Sequence, residues 1–121
     1  MGMIQVKRIY EEKQDSDGYR ILVDRIWPRG ISKGMANLYR WAKEIAPSTE
    51  LRRWYGHETE RFEKFAEEYE RELEHNENAG EFLKECCQLI IYHNITFLFA
   101  AASVDENNAI VLAKWIEKKR R

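Results

Sequence analysis

The chain holds 121 residues, enough for one domain whose core needs neither disulfides nor a structural metal. Twenty bases oppose twenty-one acids, and a net charge of −1 excludes a protein whose main work is coating a polyanion. A hydrophobic fraction of 44% excludes a disordered chain, and no apolar run approaches the ~20 residues of a membrane span.

The N-terminus has no basic segment followed by an apolar stretch, so no signal peptide is expected and the chain reads as cytoplasmic. Met1-Gly2-Met3 resembles a myristoylation start only superficially, because Val6 stands where that motif wants Ser or Thr. Met3 reads equally well as the natural start, with Met1-Gly2 a remnant ahead of it. Ile4, Val6 and Arg8 alternate with Gln5, Lys7 and Ile9, which predicts a first strand. Glu11 to Gly18 is polar and closes on Asp17-Gly18, a turn signal. Tyr19 to Ile26 then reads as a second strand, and Trp27-Pro28-Arg29-Gly30 must end it. Pro28 has no amide to donate, and Gly30 tolerates positive φ.

Ser32 is expected to cap a short helix through about Leu38. Tyr39 to Ala46 is ambiguous. Leu38, Trp41, Ala42 and Ile45 share a helical face, but Pro47 disfavours helix at Ala46 and leaves a short strand open. Ser48 caps a helix over Thr49 to Tyr55, ended by Gly56. The clearest helix starts near Thr59, with Phe62, Phe65, Ala66, Tyr69 and Leu73 at helical spacing. Its other face is acidic: Glu58 to Glu74 carries eight acids and three bases. Asn78 and Glu81 suggest a capping box for a helix running to about His93, stopped by Asn94. That helix carries the only cysteines, Cys86 and Cys87, adjacent and therefore neither an ordinary disulfide nor a metal-ligand pair; they read as reduced thiols. Ile95 to Ala101 is a nearly continuous apolar strand, as expected where helices cover both faces of a sheet. Ser103 to Asn108 leads into a last helix, Ala109 to about Lys119, with Asp105 as cap or a rival register from Ser103-x-x-Glu106.

With no repeat or linker, this order predicts a single compact α/β domain over residues 1–121. Its sheet is expected to be small and mainly parallel, flanked by helices in αβα, Rossmann-like layers. Tyr10 to Gly18 is too short for a helical crossover, so the first two strands pair as a hairpin or join through an irregular loop.

Ligands of open α/β sheets gather beyond the C-terminal strand ends, which selects Asp24 to Gly30 and Ser103 to Asn108. Arg25 and Arg29 bring planar donors that suit carboxylate or phosphate, and Trp27 supplies an apolar wall. The last helix start offers free amides, with Ser103, Asn107 and Asn108 as added hydrogen-bonding groups. A third segment, Leu51-Arg52-Arg53-Trp54-Tyr55-Gly56-His57, ends in a histidine that a loop can project as acid or base. His57, His75 and His93 have no metal spacing, and no dinucleotide, phosphate-loop or nucleophile-elbow motif occurs, so no metal or cofactor is indicated.

Tyr19 to Gly30, Ala46-Pro47-Ser48, Leu51 to His57 and Ala101 to Leu112, in that order, closely resemble the YeaO-like branch of the DUF488 family. The resemblance spans essentially the whole chain from Met3. The activity of that family is unassigned, so what the resemblance implies is a set of matching positions: the Asp24 to Gly30 turn, Arg52, Trp54, Gly56 and His57. In many relatives the last loop resembles Asp-Glu-x-x-His-Asn; the matching Asp105 to Asn108 stretch has no histidine here.

The leading functional expectation is a small enzyme or ligand-binding domain for an anionic molecule. Arg25, Arg29 and Arg52 would hold the anion, Trp27 and Trp54 would wall the pocket, and His57 or Asp24 would handle a proton. A second is a nucleic-acid module using the basic tail from Lys114 to Arg121; the near-neutral total and the acidic helix argue against it. A third is an interaction protein or homo-oligomer built on its four tryptophans and six tyrosines.

Overall fold

A computed structural model describes residues 2–121. Its centre is a four-stranded, wholly parallel sheet in the order β1-β4-β2-β3. The strands are β1 (Ile4–Arg8), β2 (Tyr19–Leu22), β3 (Arg40–Trp41) and β4 (Ile95–Phe99). Five helices accompany them: α1 (Lys33–Ala36), α2 (Thr49–Tyr55), α3 (Phe62–His75), α4 (Glu77–Leu89) and α5 (Asn108–Lys119). The expected parallel α/β class is what forms. Of the two routes open between β1 and β2, the chain takes the irregular loop, because β4 lies between them. Gly18 closes that loop at φ 64°, and a side chain there would collide with the Asn94 carbonyl.

The two faces of the sheet are covered unequally. Ile21, Val23, Ile95, Phe97 and Phe99 point into the main core, where they meet Leu51, Phe65, Tyr69, Phe82, Leu112 and Ile116 from α2 to α5. Leu22 and Leu98 point the other way, into a small core closed by α1, the loop after β2 and β3 through Ala36, Trp27 and Trp41 respectively. Strand alternation assigns these sides. The rest of the second face is polar. There Asp17 accepts from Lys7 at 3.0 Å and pairs with Arg20. Arg20 also donates twice to the Ala36 carbonyl, at 3.1 and 2.9 Å.

Capping signals locate several helices as expected. Ser32 accepts from the Met35 amide and Ser48 from the Leu51 amide, each at 3.1 Å, and Gly56 ends α2 at φ 53°. Residues 39–46 resolve into β3 and one 3₁₀ turn, Lys43–Ile45. Several boundaries differ from expectation: β4 stops at Phe99 rather than Ala101, and of four further shifts three come through a contact distant in sequence. β2 stops at Leu22 rather than Ile26: after the Val23 amide bonds Leu98, the next rung from β4, the Ala100 amide, goes to the Asp24 carboxylate at 2.9 Å. The α4 cap is Asn76, not Asn78; its side chain accepts from the Asn78 amide and donates to the Glu44 carbonyl. The same helix stops at Leu89, because Ile90 to Asn94 turn to pair with Gly2, Met3 and Tyr19. The α5 cap is Asn107, which accepts from the Ile110 amide at 3.0 Å, while Ser103 accepts from the Asp105 and Glu106 amides and so forms a turn.

Candidate functional site

A cavity of about 280 Å³ opens beyond the C-terminal ends of β2 and β4, where the crevice of a parallel sheet is expected. Three segments meet there. Asp24, Arg25, Ile26 and Trp27 leave β2; Ala100, Ala101, Asn107 and Asn108 join β4 to α5; Pro47, Arg52, Tyr55 and His57 come from α2 and its flanks. Phe65 of α3 closes the wall.

Asp24 is the carboxyl group fixed in this cavity. Its Oδ2 accepts from the Ala100 amide at 2.9 Å and its Oδ1 from the Asn108 side chain at 3.1 Å. The same Asn108 amide group donates to the Val23 carbonyl at 3.0 Å, which holds the carboxylate against the end of β2. Burial pushes the Asp24 pKa above the ordinary carboxylate value; the two hydrogen bonds and the charges of Arg52 and His57 oppose that rise. An acidic group therefore stands at the start of α5, where the sequence suggests a free anion site.

The cations divide into used and free. Arg25 donates from Nε to the Pro47 carbonyl and from Nη2 to the Ala46 carbonyl, both at 3.1 Å. Its guanidinium thus fixes the loop before α2. Arg52, on the exposed side of α2, donates to no protein acceptor among the described residues. His57 follows Gly56, and both residues are left-handed, at φ 60° and 53°. Two such residues in succession reverse the chain, so the imidazole turns back to within 5.8 Å of the Tyr55 ring. A histidine at positive φ costs ~1 kcal/mol, an amount the surrounding packing must offset.

The walls are aromatic. Trp27 donates its indole N–H to the Ile31 carbonyl at 2.6 Å and meets Trp41 edge-on at 5.3 Å. Tyr55 donates to the Glu106 carbonyl at 3.2 Å and stacks on Phe65 with centroids 4.4 Å apart. With their polar atoms engaged, these rings offer mainly carbon to the cavity.

Asp24, Arg25, Trp27, Arg52, His57, Asn107 and Asn108, all selected from sequence, line this one cavity. Asn107 does so with its side chain engaged, donating to the Ser103 carbonyl and accepting from Ile110. Arg29, Trp54 and Ser103 lie outside the lining. Arg29 is exposed on the turn, where its carbonyl accepts from Tyr10. Trp54 is 43% exposed, beneath the Arg61 guanidinium. Ser103 is used by its own turn. Sequence reasoning passed over Pro47, Tyr55 and Phe65. Tyr55 lies inside the Leu51 to His57 motif, but Phe65 reads as one more core position of α3.

The acidic face of α3 meets the basic end of α5. Lys118 pairs with Glu70 at 2.9 Å, Lys119 with Glu74 at 2.6 Å, and Trp115 donates to Glu74. Among the described residues no cluster of His, Cys, Asp and Glu could hold a metal, and no helix is long and apolar enough to cross a membrane.

Residues 3–121 match the family model described as the inactive DUF488-N3 subclade. The chain is 44% identical to the uncharacterized protein YeaO of Escherichia coli (strain K12), over 93% of this chain and 96% of that one. It is 40% identical to the uncharacterized protein Rv3073c of Mycobacterium tuberculosis (strain ATCC 25618 / H37Rv), over 92% of this chain and 91% of that protein. No solved structure matches significantly.

Proposed function

This chain belongs to the DUF488 family, and from that premise we propose that it binds, without turning over, a small molecule bearing a carboxylate or phosphate. The description of its subclade as inactive supports binding rather than catalysis. The observation that carries the proposal is the unpartnered Arg52 guanidinium on the rim of an aromatic-walled cavity that His57 also lines. A planar cation without a protein acceptor is matched by a carboxylate or phosphate, which it can hold through two parallel hydrogen bonds. Arg25 contributes field but few donors, because its Nε and Nη2 are committed to backbone carbonyls. The cavity lies at the low end of ligand-site volumes, which favours a compact ligand over a polymer. Ion pairing of Lys118 and Lys119 with α3 also leaves less free positive charge on the tail for nucleic acid.

A thermal-shift panel of phosphate, sulfate and small carboxylates tests this function. A true ligand at one hundred times its Kd stabilises the fold by ~2.7 kcal/mol. Arg52→Ala is expected to abolish the shift while leaving the unliganded protein within ~0.5 kcal/mol of wild type, since the side chain is exposed and unpaired. A panel in which no anion stabilises the protein, or an Arg52→Ala variant that responds like wild type, would overturn it.

A further inference from the structure

Resting on that anion-binding function, we infer that the ligand is an aromatic zwitterion: an amine held by Asp24, an anionic group held by Arg52 and His57, and a flat apolar body between them. The carboxylate of Asp24 has about four lone-pair positions, and Ala100 and Asn108 occupy two. Among the described residues no cationic side chain hydrogen-bonds it. Arg25, its neighbour in sequence, is turned to Ala46 and Pro47, and no lysine lines the cavity. Arg52 and His57 act on Asp24 through space only.

A ligand with nothing but an anion would take Arg52 for itself and leave two negative charges facing each other in a half-enclosed site. A low effective dielectric makes that arrangement costly. A ligand that also carries an ammonium meets the open lone pairs of Asp24 and removes the conflict. Its body is set by the walls. Trp27 and Tyr55 have their polar atoms engaged elsewhere, and Phe65 has none, so these three rings accept an aromatic or alkyl group rather than a hydrated one.

Calorimetric titration with three probes separates the contributions: L-phenylalanine, 3-phenylpropionate, which lacks the amine, and phenethylamine, which lacks the carboxylate. The expected result near neutral pH is that phenylalanine binds at least about tenfold tighter than either partial probe, a gap of ~1.4 kcal/mol. Asp24→Asn should bring phenylalanine and 3-phenylpropionate to within about threefold of each other. The probe series on wild-type protein needs no variant, so the outcome stands even if Asp24→Asn fails to fold. Binding of 3-phenylpropionate as tight as that of phenylalanine would overturn the zwitterion assignment and leave the anion site intact. Failure of all three probes, where phosphate or sulfate still binds through Arg52, would also overturn it. Failure of every anion would overturn the binding function itself.

Discussion

Asp17 and Arg20 are 4% and 3% exposed, among the few charged groups buried in the fold. The Asp17 carboxylate receives Lys7 at 3.0 Å, the Gln14 amide at 3.1 Å, and Arg20. Replacing Asp17 by Ala leaves Arg20 with its two bonds to the Ala36 carbonyl but without a counter-charge. Removing one member of such a pair costs ~3–5 kcal/mol, because the remaining charge stays buried. Lys7, at the edge of the network, can turn to solvent, so the cost falls chiefly on Arg20. Against ~6–18 kcal/mol for a domain of this length, the loss is a large share. With a urea m value of about 2 kcal/mol/M, the midpoint should fall by roughly 2 M at unchanged slope. Adding Arg20→Met removes the stranded charge and should recover most of the loss. The pH dependence has a definite sign. Hydrogen bonds from Gln14, Lys7 and Arg20 hold the Asp17 pKa below its ordinary value despite burial. Its contribution is therefore present above about pH 4 and lost as pH falls through the folded value. A midpoint shift under ~0.5 M for Asp17→Ala, or no recovery in the double variant, would refute this account.

Asp24 has the opposite sign. Its folded pKa is raised, chiefly by burial, so between the ordinary and folded values the folded chain keeps a proton the unfolded chain has lost. The stability of wild type relative to Asp24→Asn should thus be greatest below about pH 4 and decline toward neutrality, as followed by thermal unfolding across that range. Two glycines should respond differently to alanine. At Gly56 a Cβ meets nothing closer than the Arg53 carbonyl at 3.5 Å, so only the left-handed backbone is penalised, ~1 kcal/mol and a few degrees in Tm. At Gly18 the same change adds a collision with the Asn94 carbonyl, and a much larger drop in Tm is expected. Burial pushes the Cys86 thiol up to about 12, so a thiol reagent near pH 8 should leave it unlabelled until the protein unfolds, as read by mass spectrometry of the alkylated peptides.

What could be read from sequence was short in range. The Ser48 cap, the Thr49–Tyr55 helix and the Gly56 stop depend on neighbours within a turn, and each formed at the expected residue. The α3 stripe from Phe62 to Leu73 is likewise a matter of local spacing. Several of the ends that shifted were settled by distant partners, although the α5 cap moved to Asn107 within its own turn. Asp24 takes the Ala100 amide from 76 residues away and ends β2 early, and Asn76 reaches Glu44 to start α4.

The candidate site divides along the same line. Sequence by itself determined the family, the parallel α/β class and the two loops that meet at one edge of the sheet. Only the tertiary structure decided which charges remain available. Arg25 looked like the anchor of an anion, but the Ala46 and Pro47 carbonyls, more than twenty residues away, take its donors. Arg29 on its turn and Trp54 on α2 carry the right chemistry but stay outside the cavity, whereas Arg52 and His57 line it. A residue type states what a side chain can donate or accept; the packing of distant segments decides what has already been donated, and to what.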